Sequence, residues 1–206
     1  LVRRLKIGGF NVVSIYEPGS THLGDYLRQW LKKEEVDVPY STELFLFAAA
    51  RNTLVNEVIR PALSRPNTVV VADRFIDSTV AYQGYGRGIS LQQIEVVNDL
   101  AAEGLKPDIT FLLDCNPVYG LSRVSPSRHA TSSLERTRHS RKRRVDPKGS
   151  QRFEKEKIGF HEKVREGYLA VSSKEPERWR VIDATKNVAE ISNLVWTYVQ
   201  DMLDSD

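Results

Sequence analysis

An acid and a base stand side by side at Asp73-Arg74, directly after the apolar run Thr68-Val69-Val70-Val71-Ala72. An arginine fork matches a phosphate with two parallel hydrogen bonds. An aspartate beside it can fix that fork or hold a divalent metal through water. A bare ion pair with no ligand is the competing reading. Eight residues on come Tyr82-Gln83. An aromatic next to an amide can pack on a nucleobase and read its edge. Gly84, Gly86 and Gly88 follow, and they either admit a ligand close to the backbone or form a mobile loop.

Two further pieces could serve the same chemistry. Phe47 and Arg51 are four residues apart in a helical pattern, so they share a face. Phe47 could offer a flat surface with Arg51 reaching into the same space, and the three alanines between them leave room. Equally, Phe47 could be core and Arg51 could snorkel to solvent. Glu17-Pro18-Gly19-Ser20-Thr21 reads as a turn from strand into helix, whose capping hydroxyl and free amides could hold an anion.

These residues need a scaffold, and the hydrophobic pattern supplies one. Strands are expected at Val12–Tyr16, Thr68–Ala72, Ile109–Leu113 and Trp179–Ile182. Helices are expected over Thr21–Lys33, Ser41–Leu63, Leu91–Glu103, Phe153–Ser172 and Val188–Leu203. Ser90 with Gln93 has the form of a capping box, and Gly104 that of a stop. Alternating helices with uninterrupted apolar strands imply an α/β fold, a parallel sheet covered on both faces. Ligands in such folds bind at the carboxyl ends of the strands. Here those ends carry Glu17-Pro18-Gly19, Asp73-Arg74, Asp114 and Asp183. Acids there also serve as plain turn formers, the bland reading for Asp183 above all.

Bulk properties narrow the field. The chain has 206 residues, enough for one large domain, 1–206. No apolar run approaches a membrane span. Cys115 is the single cysteine, so an intrachain disulfide is impossible and a reducing compartment, the cytoplasm, is expected. Ser122 to Arg152 holds ten Lys/Arg against two acids, a local +8 in a chain whose total is +3. That tract could be a solvated insertion, a nucleic-acid contact or a partner site. It lacks the interleaved aromatics of a stacking platform.

Taken together, E-P-G-S-T, F-A-A-A-R, D-R-F-I-D-S-T-V-A-Y-Q-G-Y-G-R-G, L-L-D-C-N-P and R-F-E-K resemble the bacterial thymidylate kinases in order and spacing. The D-R to G-R-G run is the most specific part. The resemblance implies a P-loop kinase fold of three layers, a homodimer, and transfer of the γ-phosphate of ATP to dTMP with Mg²⁺. By it, Phe47 would stack on thymine and Arg51 would reach the base's carbonyl edge. Arg74 would grip the dTMP phosphate with Asp73 beside it. Thr79, Tyr82 and Gln83 would line the base and sugar pocket, and Glu17 and Pro18 the wall near the acceptor phosphate. Residues 123–152 would be a lid with a basic insertion, its ends Arg123 and Arg152 neutralising charge on the transferring group.

The sequence also departs from that family. It contains no G-x-x-x-x-G-K-[ST] phosphate cradle. A strand-loop-helix unit is expected to be missing ahead of Leu1, and with it most turnover of ATP. Tyr16 stands where arginine is usual, Ser20 where a second glycine is usual, and Gln151 where aspartate is common. Two alternatives stay open: a different deoxynucleoside monophosphate as acceptor, or a non-catalytic relic that binds nucleic acid or a partner through the basic tract.

Overall fold

The computed structural model describes residues 1–33, 37–124 and 151–204. Among them, helices outnumber strands and every strand pairing is parallel. In chain order the elements begin with α1 (Val2–Ile7), β1 (Asn11–Tyr16) and α2 (His22–Leu31). Next come α3 (Tyr40–Leu54), a π-helical stretch Val55–Ile59, α4 (Arg60–Leu63) and β2 (Thr68–Asp73). They continue with α5 (Ile76–Thr79), a second π-helical stretch Val80–Gly86, α6 (Leu91–Ala102), β3 (Thr110–Asp114) and α7 (Pro117–Val124). The chain closes with α8 (Gln151–Glu154), α9 (Ile158–Lys174), β4 (Trp179–Asp183) and α10 (Val188–Leu203).

β1 pairs with β2 from Asn11↔Thr68 to Tyr16↔Asp73, and β3 pairs with β4 from Thr110↔Trp179 to Asp114↔Asp183. The register sets the site. It puts Glu17 beside Asp73, with the Glu17 amide donating to the Asp73 carbonyl at 3.0 Å. The single sheet expected from the strand pattern is instead two parallel pairs, not hydrogen-bonded to each other among the described residues. The α/β class with parallel strands holds, and the strands are unevenly buried. Val69, Val70 and Val71 are only half-buried, and Leu113 and Val181 are 51% and 50% exposed. The core lies beneath β1 and β2, where Ile15 meets Leu54, Val55, Ile59, Phe75 and Ala102.

Other expectations are redrawn by packing. The helix expected over Ser41–Leu63 is continuous but widens to π geometry at Val55–Ile59. Gly84 and Gly86 are not in a loop but in the second π-helical stretch, and Gly88 lies beyond it with a φ of +79°. The two within it serve helix packing: a Cβ on Gly84 would sit 2.8 Å from Leu91, and one on Gly86 2.7 Å from Phe160. The helix expected over Phe153–Ser172 is broken between Glu154 and Ile158. A straight helix would hold Phe153 and Phe160 roughly 10 Å apart along its axis. The break lets both rings pack on Tyr82, at centroid distances of 5.8 and 6.1 Å. Ser90 starts α6 without a side-chain bond, so the expected capping box does not form there. The box forms at Asn187 and Glu190, which open α10.

Candidate active site

The turn after β1 is held by its own side chains. Thr21 caps α2 by accepting from the Gly24 amide at 3.0 Å. Tyr16 donates its hydroxyl to Asp25 at 2.8 Å, the Ser20 amide donates to the same oxygen at 3.1 Å, and Arg28 lies 5.1 Å over the Tyr16 ring. The bond to Asp25 also pushes the Tyr16 hydroxyl pKa up. The residue that departs from the family pattern thus braces the loop. Gly19 is required here, since at its φ of +144° a Cβ would enter the Tyr16 ring.

Beyond that turn a cleft opens between α2, α3, the second π-helical stretch and α8. Seven of the sequence-predicted residues line it: Glu17, Pro18, Phe47, Arg74, Thr79, Tyr82 and Gln83. Part of the lining is cationic. Arg74 joins it from the residue after β2, with a φ of +73°, Arg28 from α2, and Lys32 from the residue after α2. Non-glycine residues rarely hold such a φ, which costs about 1–3 kcal/mol and clusters at functional sites. Arg74 lies 4.9 Å over the Tyr82 ring and donates to the hydroxyls of Tyr82 at 3.2 Å and Tyr168 at 3.5 Å. Desolvation opposes its charge, but Tyr82, Tyr168 and Asp73 outweigh it and hold the guanidinium pKa above its ordinary value. Burial pushes the Tyr168 hydroxyl to about 12, so it stays a donor. The Phe47 and Phe153 rings and the Gln83 amide also line the cleft.

Arg51 is the correction. It neither snorkels nor lines the cleft, and is 1% exposed. Its Nε and Nη2 bond both Glu17 oxygens at 2.9 and 2.6 Å, Nη2 also reaches Thr79 at 2.9 Å, and Nη1 reaches Asn98 at 2.6 Å. Four of its five N–H groups are therefore taken. It positions two residues of the wall from behind. Burial pushes the Glu17 carboxyl up, against the pull of Arg51.

The two lid arginines do not meet in the cleft. Arg152 pairs with Glu43 at 3.0 Å, leaving its Nη1 buried without a partner. Arg123 lies 5.6 Å over the Tyr119 ring on α7. The basic insertion between them lies outside the described residues. Asp73 is exposed at the end of β2 and does not line the cleft. Among the described residues no three His, Cys, Asp or Glu gather as a metal cluster. Sequence reasoning also missed Arg28, Lys32, Ser78 and Glu154 on the wall. Only Arg28 and Lys32 carried a signal, four apart on a helix beginning at the phosphate-type turn.

The chain is similar to known proteins. A family model described as thymidylate kinase matches residues 1–145. The thymidylate kinase of Solidesulfovibrio magneticus is 39% identical over 204 residues, 98% of this chain and 91% of that protein. That of Geotalea uraniireducens is 41% identical over 191 residues, 92% and 83% of the two chains. The crystal structure of thymidylate kinase from Ehrlichia chaffeensis superposes with a TM-score of 0.59 at 32% identity, covering 84% of this chain and 74% of that one. With Arg74, Ser78, Thr79, Tyr82 and Gln83 of the D-R to G-R-G run lining the cleft, the chain belongs to the thymidylate kinase family, a family of nucleoside monophosphate kinases.

Proposed function

We propose that the cleft is the acceptor site for dTMP, to which the γ-phosphate of ATP is transferred to give dTDP. The carrying observation is the lining: the cations Arg74 and Arg28 in one cleft with the Phe47 ring and the Gln83 amide. That is the charge and shape of a nucleoside monophosphate. Arg74 would bond the phosphate, its orientation held by Tyr82 and Tyr168. Phe47 would lie against the base, and Glu17, braced by Arg51, would stand by the acceptor oxygens. Phosphoryl transfer needs the two phosphates held in line and their charge neutralised, with little covalent work by protein. Mg²⁺ takes one or two carboxylates plus phosphate oxygens; Asp73, exposed at the end of β2 next to Arg74, would be the carboxylate to hold it through water, and the ion would supply charge neutralisation on the phosphate oxygens.

Calorimetry with dTMP and with thymidine tests the reading. An anion-anchoring cleft binds dTMP tighter by about tenfold or more, since charged hydrogen bonds contribute roughly 1.5–3 kcal/mol. Equal affinities would remove the phosphate from the cleft and sink the assignment.

The same reading includes a homodimer. Phe45 on α3 and Val96 and Leu100 on α6 are 60%, 65% and 77% exposed, on two helices that pack against each other. Sedimentation equilibrium giving twice the 23.4 kDa chain mass supports it, and a monomer at micromolar concentration counts against it.

A further inference from the structure

Glu43, Phe47 and Arg51 fall at intervals of four on α3, one stripe of the helix. Phe47 lines the cleft, and Arg51 bonds the cleft wall from behind. Glu43 does the corresponding work at the other end of the stripe. Its carboxylate is fully buried, at 0% exposure. Gln83 Nε2 donates to Glu43 Oε1 at 2.8 Å. Arg87 donates to the same carboxylate at 3.2 and 3.4 Å, and Arg152 at 3.0 Å. Arg87 is itself fixed by Glu156 at 2.6 Å.

An amide has one donor end and one acceptor end, and a carboxylate flanked by two guanidinium groups only accepts. Glu43 therefore dictates which end of Gln83 it takes. It holds the nitrogen, and the carbonyl oxygen is the end left for the cleft that Gln83 lines. We propose that Glu43 is a positioning residue for base selection. It fixes the Gln83 amide so that Oε1 accepts from the ring N–H of an imide base and faces unfavourably any base with an unprotonated ring nitrogen there. This inference rests on the acceptor-site reading above and names the atom that reads the base. A buried acceptor left facing a lone pair is costly, which is why sites built on one hydrogen bond discriminate strongly.

The test is calorimetric titration of the full chain with dTMP and 5-methyl-dCMP, which share methyl, sugar and phosphate and differ at the ring N–H and its neighbouring carbonyl. The wild-type protein prefers dTMP. In Glu43→Gln the partner of Gln83 can donate as well as accept, so the Gln83 amide is free to turn. The preference ratio falls by about tenfold or more, and part of that fall is tighter binding of 5-methyl-dCMP. General damage to the cleft would weaken both ligands, so a gain for one separates positioning from structure. A folded Glu43→Gln protein with an unchanged ratio, or with both ligands weakened alike, overturns the proposal. Absence of dTMP binding to wild type overturns the acceptor-site reading and this inference with it. Glu43→Gln leaves the largely buried Arg152 without its carboxylate and Arg87 with Glu156 alone, and can fail to fold. A second measurement on wild-type protein covers that case. The side-chain NH₂ resonances of Gln83 keep their shifts when dTMP saturates the cleft while the Thr79 amide moves. Large shifts of that NH₂ pair would put the nitrogen toward the ligand and overturn the proposal.

Discussion

Arg51 grips both oxygens of Glu17, at 2.9 and 2.6 Å, where their side chains are 2% and 4% exposed. Removing either partner leaves a buried charge unpaired, which costs about 3–5 kcal/mol. Arg51→Met and Glu17→Gln should each lower urea-unfolding stability by that order. The double variant should lose clearly less than the sum of the two, because neutralising both removes the stranded charge. Strict additivity would show that the pair is not coupled as its geometry requires.

Arg74 separates function from stability. Its φ of +73° suits glycine, and its side chain makes its polar contacts at the cleft. Arg74→Gly should relieve about 1 kcal/mol or more of backbone strain, partly offset by greater freedom of the unfolded chain. The unfolding midpoint should hold or rise while dTMP binding weakens by about tenfold or more, the loss of a charge-assisted anion contact. Thymidine binding should change little. A variant that unfolds early yet binds dTMP normally would place Arg74 among the structural arginines instead.

How much of this was legible in the sequence follows from the range of each interaction. Strands β1 to β4 could be read as short uninterrupted apolar runs and helix α10 as a helical period, both of them local signals. Thr21, Phe47, Arg74, Tyr82 and Gln83 could be placed by motif, since each sits in a short run of fixed spacing. Glu43 could not. A glutamate on a helix is normally solvated, and its partners Gln83, Arg87 and Arg152 lie forty or more residues away. The partners of Arg51 were hidden for the same reason: nothing near it in sequence announces Glu17 or Asn98. Ser90–Gln93 and Asn187–Glu190 carry comparable cap signatures, and only the second closes. A local signature states what can form, and the packing around it decides.

Asp114 and Arg165 give a pH dependence with a defined sign. Arg165 donates to both Asp114 oxygens at 2.7 and 2.8 Å, which holds the carboxyl below its usual range. A carboxyl depressed in the folded state stabilises the fold above its unfolded value, about 3.9, and that contribution is lost as pH falls through the folded value. Arg165 is 39% exposed, so solvent screening limits the effect to about 1 kcal/mol or less. Wild type should therefore exceed Arg165→Gln in stability at neutral pH, and the gap should close as pH drops below about 4. A gap that widened on acidification would contradict the assignment.

Two glycines of α9 should respond to alanine in opposite directions. A Cβ on Gly167 would lie 2.8 Å from the Tyr85 ring and 3.0 Å from the Ala81 backbone, where α9 crosses the second π-helical stretch. The Tyr85 ring could turn aside, but the Ala81 Cα could move only with its helix. Gly167→Ala should cost about 1–3 kcal/mol, the usual penalty for overfilling a packed contact. Because that contact positions Tyr82, dTMP binding should weaken as well. Gly159, in the first turn of the same helix, has nothing within 4 Å of its would-be Cβ and no positive φ. Gly159→Ala should stabilise by about 0.5–1 kcal/mol through lower unfolded-state entropy, with dTMP binding unchanged. Thermal melts of the two variants read the contrast directly. If both alanines stabilised, α9 would not approach the π-helical stretch as closely as Gly167 permits, and the support for Tyr82 would have to come from Phe153 and Arg74 alone.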